Sequence, residues 1–410
     1  MGNPMTGITA IVPTMNRPQL LRQCVESLLA QTRPLSEILV VDDGSELDVA
    51  QALAGLAGPI RIIRQPNRGK AAAVNLGLSE ARGDYIWICD DDDLALPDAA
   101  ARLGAALDGS DAGFAYGSFQ RFRDDPQTGE RRIFGPGYWP ADGEHGELFS
   151  ALLDDFFIFQ FATLVRRSAF ETVGVFREDL VRSQDYEMIL RLARAFEGRR
   201  VEGPLFLQRE HDAPRGSQAD GFDAARSFEK WIEYDQKIFA DLLCTMPIEE
   251  FAPAALRSAD PAVRLRAAHL KRGCVLARRK LWKAALAEFR HACALSCAAP
   301  PTPEETAIAG RILNGKYGCR EVVDDRALLN ELAEAFRVHP YGRHLVGEVA
   351  RPLRWRAREA LLSARLREGV GYLAALARLM GRTRAAAFLL GAAAARLLPF
   401  QRGPRPALVT

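Results

Sequence analysis

The chain has 410 residues, 48% of them apolar, which excludes wholesale disorder and leaves room for roughly two to four domains. Its 54 basic and 52 acidic side chains give a formal net charge of +2. That balance hides an asymmetry: residues 351–410 hold twelve arginines, no lysine and only two acids, a net of +10, so residues 1–350 carry −8.

The first 110 residues alternate short apolar runs with helical patterns. Ile8–Val12 reads as a strand, and Pro18 opens a helix carrying Leu21, Val25, Leu28 and Leu29. Glu37–Val41 is a second strand, continuously apolar as a parallel strand buried on both faces would be. Ile60–Ile63 is the third, a helix follows over Gly69–Ala81, and Tyr85–Cys89 is the fourth. Such alternation means an α/β layer. Beyond it, Ala112–Phe122 predicts a strand, Asp124–Gly146 a mobile loop, Phe156–Val165 another strand, Asp185–Phe196 a helix and Val201–Leu207 a last strand. The helix stripe would be Met188, Ile189, Leu192, Ala195 and Phe196. After about residue 220 strand signals vanish and alanine-rich helices run to the end. Gly273, Ala285, Phe289 and Ala292 fall at the spacing of a tetratricopeptide-type hairpin, which fits either a generic helical pair or a degenerate repeat.

The chemistry concentrates in Asp90-Asp91-Asp92-Asp93, directly after the fourth strand. Four adjacent carboxylates repel one another, and a bound cation is the natural compensation. Open α/β sheets bind ligands at this edge. Oxygen ligands favour Mg²⁺ or Mn²⁺, which can also bridge a diphosphate. Asp42-Asp43-Gly44-Ser45 brings acids to the same edge from the second strand. Between the two clusters, Arg68-Gly69-Lys70 offers backbone and cations for phosphate, without the spacing of a P-loop.

Together with Pro13-Thr14-Met15-Asn16-Arg17, Asn75, and Gly83-Asp84-Tyr85-Ile86, these motifs resemble the family-2 glycosyltransferases of the GT-A fold, over roughly residues 7–215. The resemblance implies a Rossmann-like mixed sheet followed by an all-helical region, and a nucleoside-diphosphate sugar as donor. Pro13, Thr14, Arg17, Asp42 and Asp43 would line the nucleoside pocket, with Arg68, Lys70, Asn75, Asp90, Asp91 and Arg209 also on the donor. Asp90 and Asp92 match the Asp-x-Asp motif, with Asp92 as the metal ligand for Mn²⁺ or Mg²⁺; the register within the tetrad stays open by one residue. The family's Glu-Asp pair falls on Gln184-Asp185, so Asp185 would be the catalytic base while Gln184 departs from the pattern. Arg209-Glu210-His211 resembles the Arg-x-His segment, with His211 at the metal or diphosphate. The implied reaction is an inverting transfer to an acceptor hydroxyl, in cell-surface polysaccharide or lipid-linked glycan synthesis. A different class of reading is a non-catalytic scaffold with a decayed transferase domain.

The expected division is 1–218 for the transferase domain, 219–345 for a helical region and 346–410 for a basic helical tail. The tail's arginines and its apolar Val370–Leu398 segment read either as an interfacial helix on anionic lipid or as a packed helical domain. No aromatic-interleaved basic groove points to nucleic acid. Seven cysteines, an odd number without CxxC spacing, argue against a disulfide framework or a zinc site. With no signal-peptide pattern and no apolar stretch of bilayer length, the protein is expected in the cytoplasm, at most attached to the inner membrane surface.

Overall fold

The structure is a computed structural model that describes residues 7–394 apart from 126, 138, 140–146, 211–226 and 296–298. Its described residues form two compact units, one from 1–141 with 156–234, the other from 142–155 with 235–410.

The first unit opens with β1 (Ile8–Thr14), α1 (Pro18–Leu29), β2 (Glu37–Asp42), α2 (Val49–Ala52), β3 (Ile60–Arg64), α3 (Lys70–Glu80) and β4 (Tyr85–Ile88). Every residue of β1, β2 and β4 is buried, which is why these strands read as unbroken apolar runs. β1 lies between β2 and β4, parallel to both, and β3 closes this side as an edge strand whose Arg61 and Arg64 discourage further pairing. α1 starts with Pro18 and buries Leu21, Cys24, Val25 and Leu28, one face at helical spacing. In α3, Gly77 has no alternative: a Cβ there would stand 2.5 Å from Ile11 Cγ2.

The sheet continues through β5 (Leu94–Ala95), α4 (Ala99–Leu107), β6 (Phe114–Asp124) and β7 (Arg131–Pro136). α5 (Leu148–Asp154) lies in the segment assigned to the second unit. Then come β8 (Thr163–Arg166), α6 (Arg167–Val173), α7 (Gln184–Ala195) and β9 (Gly198–Arg209). Nine strands run in the order β3-β2-β1-β4-β8-β6-β9-β5, with β7 paired to β6.

Three expectations change. The expected loop after Asp124 contains β7, because Asp125 caps a tight turn by accepting from Gln127 N at 2.8 Å and Thr128 N at 3.1 Å. β7 is exposed throughout, so it carries no apolar alternation to betray it. The expected strand over Phe156–Val165 shrinks to β8, preceded by a 3₁₀ turn at Gln160–Ala162. In that turn Phe161 C=O accepts the indole N–H of Trp87 at 2.8 Å. α7 ends at Ala195, which is exposed, and its buried face includes Tyr186 and Leu190 as well as Met188, Ile189 and Leu192.

The described residues of the second unit are helical apart from short turns. α8 (Ser227–Thr245) leads into it, followed by α9 (Pro261–Arg278), α10 (Trp282–Ala294), α11 (Pro303–Arg311), α12 (Arg320–Asp324), α13 (Arg326–Arg337), α14 (Pro340–Leu362), α15 (Leu366–Met380) and α16 (Arg382–Ala394). α9 and α10 form the hairpin expected around Gly273, where a Cβ would meet Phe289 at 2.5 Å. α5 is fastened to α9 and α11 by ion pairs: Asp154 bonds Lys271 at 2.7 Å and Arg311 at 2.8 Å, and Asp155 pairs with Arg278. The apolar faces of α14 and α15 enter this unit's core through Leu353, Ala357, Tyr372, Leu376 and Leu379, and Ala385 of α16 joins them. Over this stretch the tail's apolar side chains serve as core rather than as one continuous lipid-facing surface. Among the described residues no helix is long and apolar enough to cross a membrane.

Glu305 is the polar centre of the helical unit. It closes a capping box with Thr302, accepts Arg266 Nε at 2.8 Å and Nη2 at 2.9 Å, and accepts the Tyr341 hydroxyl at 2.8 Å. Both members of the Arg266–Glu305 pair have fully buried side chains. Removing one partner would strand the other charge in the core. Glu305→Ala is therefore expected to lower stability by about 3–5 kcal/mol, measured by urea unfolding, whereas Tyr341→Phe, which leaves both charges paired, costs only about 1 kcal/mol.

Candidate active site

Three parallel strands deliver the site to one edge. Thr14 at the end of β1 is in register with Asp42 at the end of β2, and the aspartate tetrad follows β4 directly. This is the carboxyl edge where open α/β sheets take ligands.

The tetrad splits by alternation. Asp91 and Asp93 are buried, while the side chains of Asp90 and Asp92 remain 31% and 19% exposed. Asp91 accepts the Thr14 hydroxyl at 2.6 Å and Arg17 Nη1 at 3.3 Å; the same nitrogen reaches Asp92 Oδ2 at 2.9 Å. Burial pushes the Asp91 carboxyl up to about 6, with Arg17 opposing and Asp92 and Asp90 adding to the rise. Asp93 is also pushed well up, by burial first and then by the charges of Asp92 and Asp90. Its Oδ1 accepts the backbone N–H of Arg209 at 2.8 Å.

Lys70, in the first turn of α3, pairs with Asp90. Burial works against its charge, but Asp90 and Asp185 outweigh that and hold the ammonium above its ordinary pKa. Asp185 thus belongs to the same electrostatic group as the tetrad, although it lies 92 positions further along the chain than Asp93. It lies in the first turn of α7, where the helix dipole favours a carboxylate, and accepts Tyr186 N–H at 2.9 Å. Beneath it is a small, mainly apolar cavity lined by Ile86, Ile88, Met188 and Ile189 among others. Burial raises the Asp185 pKa; Lys70 pulls it down and Asp90 pushes it up again.

Asp43 organises the neighbouring loop. Its Oδ1 accepts Gln65 Nε2 at 2.7 Å and Arg68 N at 2.9 Å, and its Oδ2 accepts Gly69 N at 2.8 Å. Gly44, at φ +83°, makes the turn after β2, and a Cβ there would strike Asn67 N at 2.8 Å. Pro13 sits in β1 opposite Val41.

Sequence-predicted residues therefore divide into two sets. Thr14, Arg17, Lys70, Asp90, Asp91, Asp92 and Asp185 converge. Asp42 instead accepts Ser45 N at 2.8 Å and faces Arg64 at 3.5 Å. Asn75 bonds the backbone of Phe176 in both directions, and the Arg68 guanidinium pairs with Glu178 at 2.9 Å. Arg209 spends its guanidinium on the protein, donating to Asp92 C=O at 2.9 Å, to Gln23 at 2.6 Å and to Asp124. It acts as a clamp on the tetrad turn. His211 lies outside the described residues. Gln23, Asp124 and Gln160 went unrecognised in the sequence. Gln160 donates to Asp90 Oδ1 at 3.4 Å and lines the cavity under Asp185. Its signal was available: it is the only polar residue in Phe156–Ala162.

The exposed pair Asp90 and Asp92 offers carboxylate oxygens alone. That donor set suits a hard divalent cation, which commonly keeps positions open for phosphate.

Comparison with known proteins adds several likenesses. Residues 9–174 match the family model described as "Glycosyl transferase family 2". The uncharacterized glycosyltransferase YwdF of Bacillus subtilis (strain 168) is 28% identical over 217 residues, 52% of this chain and 78% of that protein. The succinoglycan biosynthesis protein ExoW of Rhizobium meliloti (strain 1021) is 39% identical over 101 residues, 23% of this chain and 32% of its own length. Among solved structures, S. aureus TarS 1-349 in complex with UDP-GlcNAc aligns at a TM-score of 0.47 and 14% identity, over 93% of this chain and 92% of that one. With its parallel strands ending in paired acidic clusters, the matched stretch 9–174 is similar to glycosyl transferase family 2.

Proposed function

We propose that the protein is a metal-dependent inverting glycosyltransferase. It takes a sugar from a nucleoside-diphosphate donor and places it on a hydroxyl of a glycan or lipid-linked acceptor in cell-surface polysaccharide synthesis. The observation that carries this reading is Lys70, whose charge is held by Asp90 on the turn after β4 and by Asp185 at the start of α7. A carboxylate pair fit for a donor's cation and a separate, half-buried carboxylate fit for an acceptor thus share one edge.

In this reading Pro13, Thr14, Arg17 and the loop anchored by Asp43 border the nucleoside, while Lys70 and the backbone at Arg68 and Gly69 face the diphosphate. Asp90 and Asp92 would hold Mn²⁺ or Mg²⁺, which when bound supplies charge neutralisation for the departing diphosphate. Arg209 contributes by fixing the tetrad turn. Asp185 accepts the proton of the acceptor hydroxyl, and burial assists by making its carboxylate more basic. Attack by the deprotonated oxygen on the anomeric carbon, opposite the diphosphate, inverts the configuration there. Gln184 in place of glutamate leaves one carboxylate for this task.

Turnover tests the proposal. Nucleotide-sugar hydrolysis should require Mn²⁺ or Mg²⁺ and stop with a chelator. Asp185→Asn should lower kcat by about 10²–10⁴-fold with the donor KM little changed. If no donor in a nucleotide-sugar panel binds or turns over with metal present, the scaffold reading replaces the enzyme.

The charge asymmetry of the chain also supports contact with an anionic membrane surface. Leu362, Leu366 and Val370 are exposed at the corner between α14 and α15, interleaved with exposed Arg358, Arg365 and Arg367. Each well-placed arginine would add about 1 kcal/mol on anionic lipid. Phosphatidylserine vesicles should sediment the protein at low salt, and Leu362→Asp with Leu366→Asp should release it. Equal sedimentation of both forms, or none of either, would remove the membrane from the account.

A further inference from the structure

The cysteines argue against a zinc site, yet histidine and glutamate on α9 and α10 assemble one without them. We infer that His269, Glu288 and His291 bind a divalent transition metal of the zinc type, tying the two helices of the hairpin together. One donor atom from each of the three residues lies within 4.8 Å of the other two. His269 Nδ1 is already 2.7 Å from Glu288 Oε2, and the two imidazole rings are 5.4 Å apart.

The positions are set before any ion arrives. Glu288 and His291 are three residues apart on α10 and so share a face. His269 is one turn before Gly273 on α9, and at Gly273 the two helices pack so tightly that a Cβ would stand 2.5 Å from Phe289, the neighbour of Glu288. That tight contact brings the histidine of one helix to the pair on the other. Arg272 donates to Glu288 Oε1 at 2.7 Å, which orients the carboxylate and leaves Oε2 toward His269. The side chains of His269 and Glu288 are only 16% and 12% exposed, while His291 is exposed and gives the ion a route in.

The donor set decides the class of ion. Two imidazoles and one carboxylate match zinc with three protein ligands and a water, and also suit Co²⁺ and Ni²⁺; they suit Mg²⁺ or Ca²⁺ poorly. The oxygen-only pair at Asp90 and Asp92 has the opposite preference. Zinc would displace the His269–Glu288 hydrogen bond and neutralise the carboxylate beside Arg272. Its site is separate from the proposed catalytic edge and does not depend on that function.

Co²⁺ and Zn²⁺ alone are the probes. The metal-free full chain should take up one equivalent of Co²⁺ with the intense visible absorption of a four- or five-coordinate nitrogen-containing site, and Zn²⁺ should displace it and raise Tm. His291→Ala changes an exposed side chain and should keep the fold, yet it should weaken Co²⁺ binding more than tenfold, as should His269→Ala. Asp92→Asn should leave the spectrum unchanged. The inference is overturned if the wild type shows no such absorption, if His291→Ala retains it at full affinity, or if Asp92→Asn abolishes it.

Discussion

Four consecutive carboxylates in one turn are tolerable only if each has a separate means of relief, and much of the first unit's carboxyl edge supplies it. Alternation sends Asp91 and Asp93 inward and leaves Asp90 and Asp92 half-open. Arg17 spans Asp91 and Asp92, Lys70 answers Asp90, and the backbone of Arg209 answers Asp93. Thr14 from β1 closes the arrangement from the central strand. Even so the two buried carboxyls sit above their ordinary pKa, through burial first and then through the charges of their neighbours. A divalent cation on the exposed pair would complete the compensation.

This constraint explains why widely separated segments meet. Arg209 ends the last strand of the sheet, and its guanidinium ties the tetrad turn to Gln23 of α1 and Asp124 of β6. Asp43 does the same for the loop before α3, using both oxygens to hold Arg68 and Gly69. That loop positions Lys70, and Lys70 couples the tetrad to Asp185. The links are ordinary hydrogen bonds and ion pairs, apart from the longer-range attraction between Lys70 and Asp185, and the acidic turn gives all of them a common purpose.

Much of this edge was legible in the sequence because buried parallel strands announce themselves as unbroken apolar runs, and acids directly after them stand out. β1, β2 and β4 were found that way, together with the clusters at Asp42 and Asp90. What stayed hidden is equally physical. β7 has no buried face, so its residues carry no alternation, and the run Phe156–Ala162 is largely buried but irregular, which apolarity alone cannot distinguish from a strand. Side-chain destinations were also out of reach. Nothing in the residue type of Arg209 says that its guanidinium serves the protein rather than a phosphate, and Asn75 likewise holds the backbone at Phe176. The tail's amphipathic pattern was real, but a helix face that suits lipid also suits a protein core, and Leu353, Leu376 and Leu379 take the latter course.

The partition of the tetrad is the central claim, and calorimetric titration of Mn²⁺ with a nucleoside diphosphate tests it most directly. Single Asp→Asn changes across residues 90–93 should separate into two classes. Asp90→Asn and Asp92→Asn should lose metal-dependent binding of the diphosphate, while Asp91→Asn, which replaces a buried carboxyl, should retain it. Equal loss in the Asp91 and Asp92 variants, or intact binding without Asp92, would contradict the account.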